Sequence, residues 1–178
     1  NIAIIDTVLE KYTFENPNVS YGNFKWEDNK RDGKVIFVPT DKSNGRWIVS
    51  YLFENPQISN KRFMTNGVWC PGNFNFGTAG ADPFRVDEVT SNKKSMGTGA
   101  IFREHDINID PQHKDVSEWK TNCFIATYCN RPLRDEYCED MLMACVYYGI
   151  PMFPEMNLVV LDDYFRSRGY AGFLLHQK

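Results

Sequence analysis

From residue 77 onward the chain alternates strand-like and helix-like runs, and this order constrains the fold more than any other feature of the sequence. Phe76-Gly-Thr-Ala-Gly-Ala81 is a short run of small residues that enters Asp82-Pro83, where proline ends it. Thr98–Arg103 and Asn122–Tyr128 are the next strand candidates. From Arg134 to Tyr148, Tyr137, Met141, Cys145 and Tyr148 recur at helical spacing, and Gly149 is placed to cap the helix. Pro151-Met-Phe-Pro154 approaches Glu155 in an extended form. Leu158–Ser167 predicts a second helix ended at Gly169, and Gly172–Leu175 a last short strand. Three strands, a helix, a strand and a helix predict an α/β fold with a mixed sheet flanked by helices. Other α/β folds share this order.

Residues 1–76 have a different texture, rich in Asn, Gly and aromatics. Ile2–Tyr12 reads as a short helix. Lys34–Val38 and Arg46–Leu52, separated by the turn-forming Asp41-Lys-Ser-Asn-Gly45, read as a β-hairpin. Asn55-Pro56, Asn66-Gly67 and Pro71-Gly72 punctuate an irregular connection. The expected organisation is a β-rich extension over 1–76 and a core over 77–178. The hairpin aromatics Trp26, Phe37, Trp47 and Tyr51 read as core, because duplex DNA offers no free base faces for stacking.

Hydrophobic residues make up 42% and charged residues 24%, so the chain can bury a core and is not a disordered tail. Net charge is -3, against the basic balance of most nucleic-acid binders. Clustered acids that hold cations offset that argument. The five cysteines form no CxxC pair, which argues against a disulfide framework or a structural zinc site and fits reduced thiols inside a cell. No stretch approaches the roughly 20 apolar residues of a membrane span. No secretory signal opens the chain, and a first residue other than Met suggests a piece of a longer polypeptide. The GxxxxGK[ST] phosphate loop is missing, so ATP hydrolysis is not expected.

Asp82 and Glu155 are the candidate catalytic and metal-holding residues. If their strands are neighbours, both acids project from one end of the sheet and offer hard oxygen ligands to divalent cations. The ordinary alternative is a turn aspartate before proline and a solvated loop glutamate. Auxiliary candidates are Asp87, with Glu88 beside it, and His105, Asp106 and Asn157. Lys93, Lys94, Arg131 and Arg134, together with Arg166 and Arg168, are candidate phosphate contacts; each serves equally as ordinary surface or helix-end charge.

The run Ala79-Gly-Ala-Asp-Pro-Phe84 resembles the segment that opens the nuclease domain of tailed-phage terminase large subunits. Phe124-Ile-Ala-Thr-Tyr-Cys-Asn-Arg-Pro132, the helix through Tyr137–Gly149, Phe153-Pro-Glu-Met-Asn157 and Leu161–Gly169 resemble later segments of that domain in the same order. The similarity is to terminases of phages of Bacteroidetes, including the crAss-like group, and extends more loosely over Gly22–Leu52. The resemblance implies a ribonuclease-H-like fold and a two-metal endonuclease. It implies Mg²⁺ or Mn²⁺ held by Asp82 and Glu155. It further implies cutting of concatemeric double-stranded DNA during genome packaging in the host cytoplasm. The resemblance also implies the portal and the small terminase subunit as partners of the full-length protein, with no membrane involved. The family uses a third acid well downstream. Asp162 and Asp163 follow Glu155 too closely and fall in the second helix, so the expectation is a chain that stops before that acid and by itself cuts weakly or not at all. A junction resolvase or transposase core of the same fold, and a non-catalytic module that docks on the portal or prohead, are the other readings.

Overall fold

The computed structural model describes residues 19–84, 95–104, 123–155 and 159–175. The helix expected at Ile2–Tyr12 lies outside them. Nine strands are described: β1 (Ser20–Trp26), β2 (Val35–Pro39), β3 (Trp47–Val49), β4 (Arg62–Thr65), β5 (Val68–Pro71), β6 (Gly77–Asp82), β7 (Gly97–Arg103), β8 (Cys123–Asn130) and β9 (Met152–Pro154). Two α-helices accompany them, α1 (Arg134–Tyr148) and α2 (Val160–Ser167). Seven strands form one mixed sheet in the order β2-β1-β3-β8-β7-β6-β9. β6, β7 and β8 are an antiparallel meander; α1 then crosses over, and β9 lies parallel to β6. The protein is thus α/β with the arrangement expected of a ribonuclease-H-like sheet, extended at one edge by β1, β2 and β3. No described helix is long and apolar enough to cross a membrane.

The edge extension differs in detail from the expected hairpin. β2 and β3 do not pair with each other; both pair antiparallel to β1, one on each side. The turn at 41–45 crosses the end of β1 and is held there by Asn23, whose side chain donates to the Asn44 carbonyl at 3.0 Å and accepts from the Arg46 N–H at 3.0 Å. A Cβ on Gly45 would fall 2.7 Å from the Gly22 nitrogen, so only glycine lets the loop pass this close. β3 then joins β8 through Trp47↔Tyr128, and the extension and the core share one sheet. Asn66-Gly67 is also more than punctuation: it closes the β4–β5 hairpin, with both residues at positive φ (51° and 78°), as a tight primed turn requires.

α1 packs on one face of the sheet. Its residues Tyr137, Cys138 and Asp140–Tyr148 are all buried, because β1, β2, α2 and the segment at 58–61 surround it. The Glu136 carboxylate accepts the Leu133 N–H at its start. At its end Gly149 adopts φ 64°, and buried Asn73 donates to the Tyr148 carbonyl at 2.9 Å. Phe24 sits at the centre of the aromatic packing, with ring centroids 5.2 Å from Phe37, 5.5 Å from Trp47 and 5.7 Å from Tyr148. Such contacts add about 0.5–1.5 kcal/mol each beyond buried area. Trp47 is buried, Trp26, Phe37 and Tyr51 pack against the core, and the aromatics of the extension are core-forming as expected.

α2 presents Leu161 and Phe165 inward and ends before Gly169, at φ 77°. The strand expected at Gly172–Leu175 is instead a 3-10 turn over Ala171–Phe173 followed by a single bridge from Leu174 to Met152. Gly172 lies so close to β5 that a Cβ would meet the Cys70 Sγ at 2.5 Å, so only glycine fits at this contact.

Candidate functional site

Side-chain parity builds the site. Along β6, Gly77, Ala79 and Ala81 point into the core, and Thr78, Gly80 and Asp82 face away from it. β9 repeats the pattern, with Met152 and Pro154 buried and Phe153 and Glu155 exposed. The parallel register pairs Gly80 with Phe153 and Ala81 with Pro154, and the Glu155 N–H donates to the Ala81 carbonyl at 2.9 Å. Asp82 and Glu155 therefore leave adjacent strand tips on the same face. Their carboxyls share a hydrogen bond. The acids are 73 positions apart in sequence, and the crossover through α1 brings them together.

Two carboxylates this close resist ionising together. Partial burial, then the hydrogen bond and the charge of Glu155, push the Asp82 carboxyl up to about 6. Asp82 therefore keeps its proton to higher pH than an ordinary aspartate does. A divalent cation would take the place of that proton, and carboxylate oxygens are the ligand type that Mg²⁺ and Mn²⁺ prefer. The donor set thus fits such an ion. It is a partial set: among the described residues no group of three or more His, Cys, Asp or Glu side chains converges.

No family model, curated protein or solved structure matches the chain.

The other candidates divide. Asp87, Lys93, Lys94, His105 and Asn157, with Glu88 and Asp106, lie outside the described residues. Asp162 pairs with Arg166 one turn along α2, at 2.5 Å. Arg168 bridges Glu139 on α1 and Asp32 in the β1–β2 connection, the latter at 2.6 Å, which makes it a tie between elements. Arg134 opens α1 with a half-exposed side chain 3.4 Å from the neighbouring Asp135. Arg131 stands at the same end of the sheet as the acids. Through the registers Asp82↔Thr98, Thr98↔Cys129 and Gly97↔Asn130, it follows the β8 tip two strands from β6.

Two supporting residues escaped sequence reasoning. Phe84, two positions after Asp82, is buried and meets Tyr137 of α1 edge to face at 5.7 Å. The Tyr137 hydroxyl donates to the Thr98 carbonyl at 2.7 Å, and Thr98 is the residue opposite Asp82. Together they brace the turn that carries the first acid. The available signal was the aromatic placed directly after Asp82-Pro83, a break in which a solvated turn would have carried a polar residue.

Proposed function

We propose that this chain is the nuclease domain of a tailed-phage terminase large subunit, a metal-dependent endonuclease that cuts concatemeric double-stranded DNA during genome packaging. The observation that carries the reading is the hydrogen-bonded pair of Asp82 and Glu155 at the tips of parallel neighbours β6 and β9. The order of elements and the run Ala79–Phe84 followed by Phe153–Asn157 support the family assignment.

The residues of the chain have separable roles in this reading. Asp82 and Glu155 hold Mg²⁺ or Mn²⁺. Pro83 ends β6 at the acid, so the carboxylate stands clear of the sheet. Gly80 leaves open space on the face beside Phe153, since a Cβ there would meet nothing within 4 Å. That opening gives a bulky polymer room to approach. Phe84 and Tyr137 keep the Asp82 turn from shifting. Bound ions of this kind supply an activated water and stabilise the oxygen that leaves phosphorus. In the full-length protein the portal and the small terminase subunit are the partners, and the host cytoplasm is the place of action.

The test is nicking of supercoiled plasmid with Mg²⁺ or Mn²⁺, alongside Mn²⁺ titration by calorimetry. Asp82→Asn and Glu155→Gln should each reduce nicking by at least about a hundredfold, since even outer-shell changes cost 10- to 100-fold. Both should also weaken Mn²⁺ binding. Undiminished cutting with both acids substituted would overturn the proposal.

A further inference from the structure

Asn44-Gly45 and Asn66-Gly67 carry the same dipeptide, and the fold treats them in opposite ways. An asparagine before glycine is open to attack on its side-chain Cγ by the glycine backbone nitrogen, because no Cβ shields that nitrogen. A held side-chain amide and a committed backbone N–H both prevent the attack. Asn44 has both restraints. Its Nδ2 donates to the two carboxylate oxygens of Asp41, at 3.0 and 2.8 Å. The Gly45 N–H donates to the Asp41 carbonyl at 2.9 Å, and a Cβ on Gly45 would already crowd the Gly22 nitrogen. Hydrogen bonds from Ser43 and Asn44 hold the Asp41 carboxyl down at about 2, so it is charged throughout the alkaline range in which such an attack runs.

Asn66 has neither restraint. Asn66 and Gly67 are both exposed at the tip of the β4–β5 hairpin. Among the described residues, no hydrogen bond holds the Asn66 amide or the Gly67 N–H. A Cβ on Gly67 would meet nothing within 4 Å, so solvent reaches the nitrogen from every side. The one brake is the turn itself. Asn66 sits at φ 51°, and it must leave this left-handed conformation before its Cγ reaches the Gly67 nitrogen. That brake is weak, because the tip closes a separate sheet of only two strands, and such a hairpin opens at its turn at little cost.

We propose that Asn66 is a site of spontaneous covalent modification, deamidating through a succinimide to aspartate and isoaspartate while Asn44 stays intact. The Gly67 nitrogen gives its proton to hydroxide and bonds to the Asn66 Cγ. The bond from Cγ to the amide nitrogen breaks, and that nitrogen leaves as ammonia with a proton from water. Water then adds to one of the two ring carbonyls and opens the ring, so the net change is an amide and water giving a carboxylic acid and ammonia, with no oxidation or reduction. Opening toward isoaspartate moves a methylene into the main chain, and the two-residue turn that sets Thr65 opposite Val68 is lost. This chemistry needs no metal and is independent of the nuclease reading.

The experiment incubates the folded chain in mildly alkaline buffer and follows its tryptic peptides by mass. Isoaspartate is scored in the same peptides with an isoaspartyl methyltransferase and a labelled methyl donor. The peptide that holds Asn66 should gain the mass of an NH₂-to-OH exchange at least about tenfold faster than the one that holds Asn44, because Asn44 must first give up its hydrogen bonds to a charged partner. Asn66→Asp keeps a residue suited to the turn and should abolish the mass gain there while leaving Asn44 as slow as before. Asp41→Ala should bring Asn44 close to the rate of Asn66, and an Asn44 that stays slow would overturn the explanation by restraint. Equal rates at the two asparagines of the unsubstituted chain, or a faster Asn44, overturn the proposal. So does an Asn66 that stays intact in the folded chain while a free peptide of residues 62–71 deamidates, since the turn would then be a complete lock.

Discussion

Two acids in this protein live in opposite circumstances. Asp140, on α1, is 1% exposed, and the Arg46 Nη2 donates to its Oδ1 at 2.7 Å while the Tyr128 hydroxyl donates to its Oδ2 at 3.0 Å. Burial raises its carboxyl, and the Arg46 and Tyr128 hydrogen bonds act against that rise. Asp82, at the β6 tip, is exposed, and what it meets is another acid. The buried acid is satisfied and ties α1 to β3 and β8. The exposed acid is left in conflict with Glu155. A fold has no stability reason to set two carboxylates side by side, so the second arrangement points to a ligand, and the first to architecture.

The largest effect that would test this contrast is at the buried acid. Arg46→Met should destabilise the protein by about 3 kcal/mol, because it leaves a buried carboxylate without its cation. Chemical denaturation reads this, and nicking per folded molecule should be unchanged. A loss much below that would mean Asp140 is not the structural anchor its contacts indicate. Next comes the loss of nicking at Asp82→Asn and Glu155→Gln, with little change in folding.

Asp82→Asn should also stabilise the metal-free protein at neutral pH, and this is the sharper half of the comparison. The Asp82 carboxyl sits at about 6 when folded, against 3.8 as the ordinary value. The folded state therefore binds the extra proton between those values, and the stability it confers is complete below about pH 4 and lost as pH rises through 6. Asparagine avoids that loss. Discounted for the exposure of the group, the gain above pH 6 is about 1 kcal/mol or less, and it should vanish near pH 4. Thermal melts across that range check it. Mg²⁺ or Mn²⁺ should raise the melting temperature of the wild type and not of Asp82→Asn. A variant that is less stable than wild type at neutral pH would mean that the acid pair is not in conflict.

A comparable effect lies at the end of α1. Gly149→Ala places a Cβ at φ 64° and 2.6 Å from the Lys61 carbonyl oxygen, and should cost about 1 kcal/mol or somewhat more.

The contrast between the two acids also bears on what sequence reasoning can reach. Asp140 gave no sign of its role, because its partners are Arg46, just ahead of β3, and Tyr128 on β8, and nothing local to Cys-Glu-Asp-Met marks a buried ion pair. Asp82 and Glu155 were legible, since each follows a short strand, and proline or a change of element fixes where each strand ends. The meander, α1 and its glycine cap were legible for the same reason: hydrophobic period and chain-ending residues are local signals. The pairing in the extension was not. Two β-runs around a turn read as a hairpin, and local pattern carries no trace of a third strand lying between them. β1 itself, Ser-Tyr-Gly-Asn-Phe-Lys-Trp, passed unnoticed, because Gly22 and Phe24 are its only fully buried residues.

Taken by itself, the amino-acid order determined the elements from β6 to α2 and where the two acids stand on them, because helix period, strand alternation, glycine caps and proline stops act over a few residues. Tertiary structure alone decided that β1 divides β2 from β3, that Asp140 finds Arg46, and that Arg131 reaches over β7 to Phe84. The pairs of β1 with β3 are 25 to 29 positions apart, Phe84 and Arg131 are 47 apart and Arg46 and Asp140 are 94 apart, and only the packing of the sheet against α1 makes them neighbours.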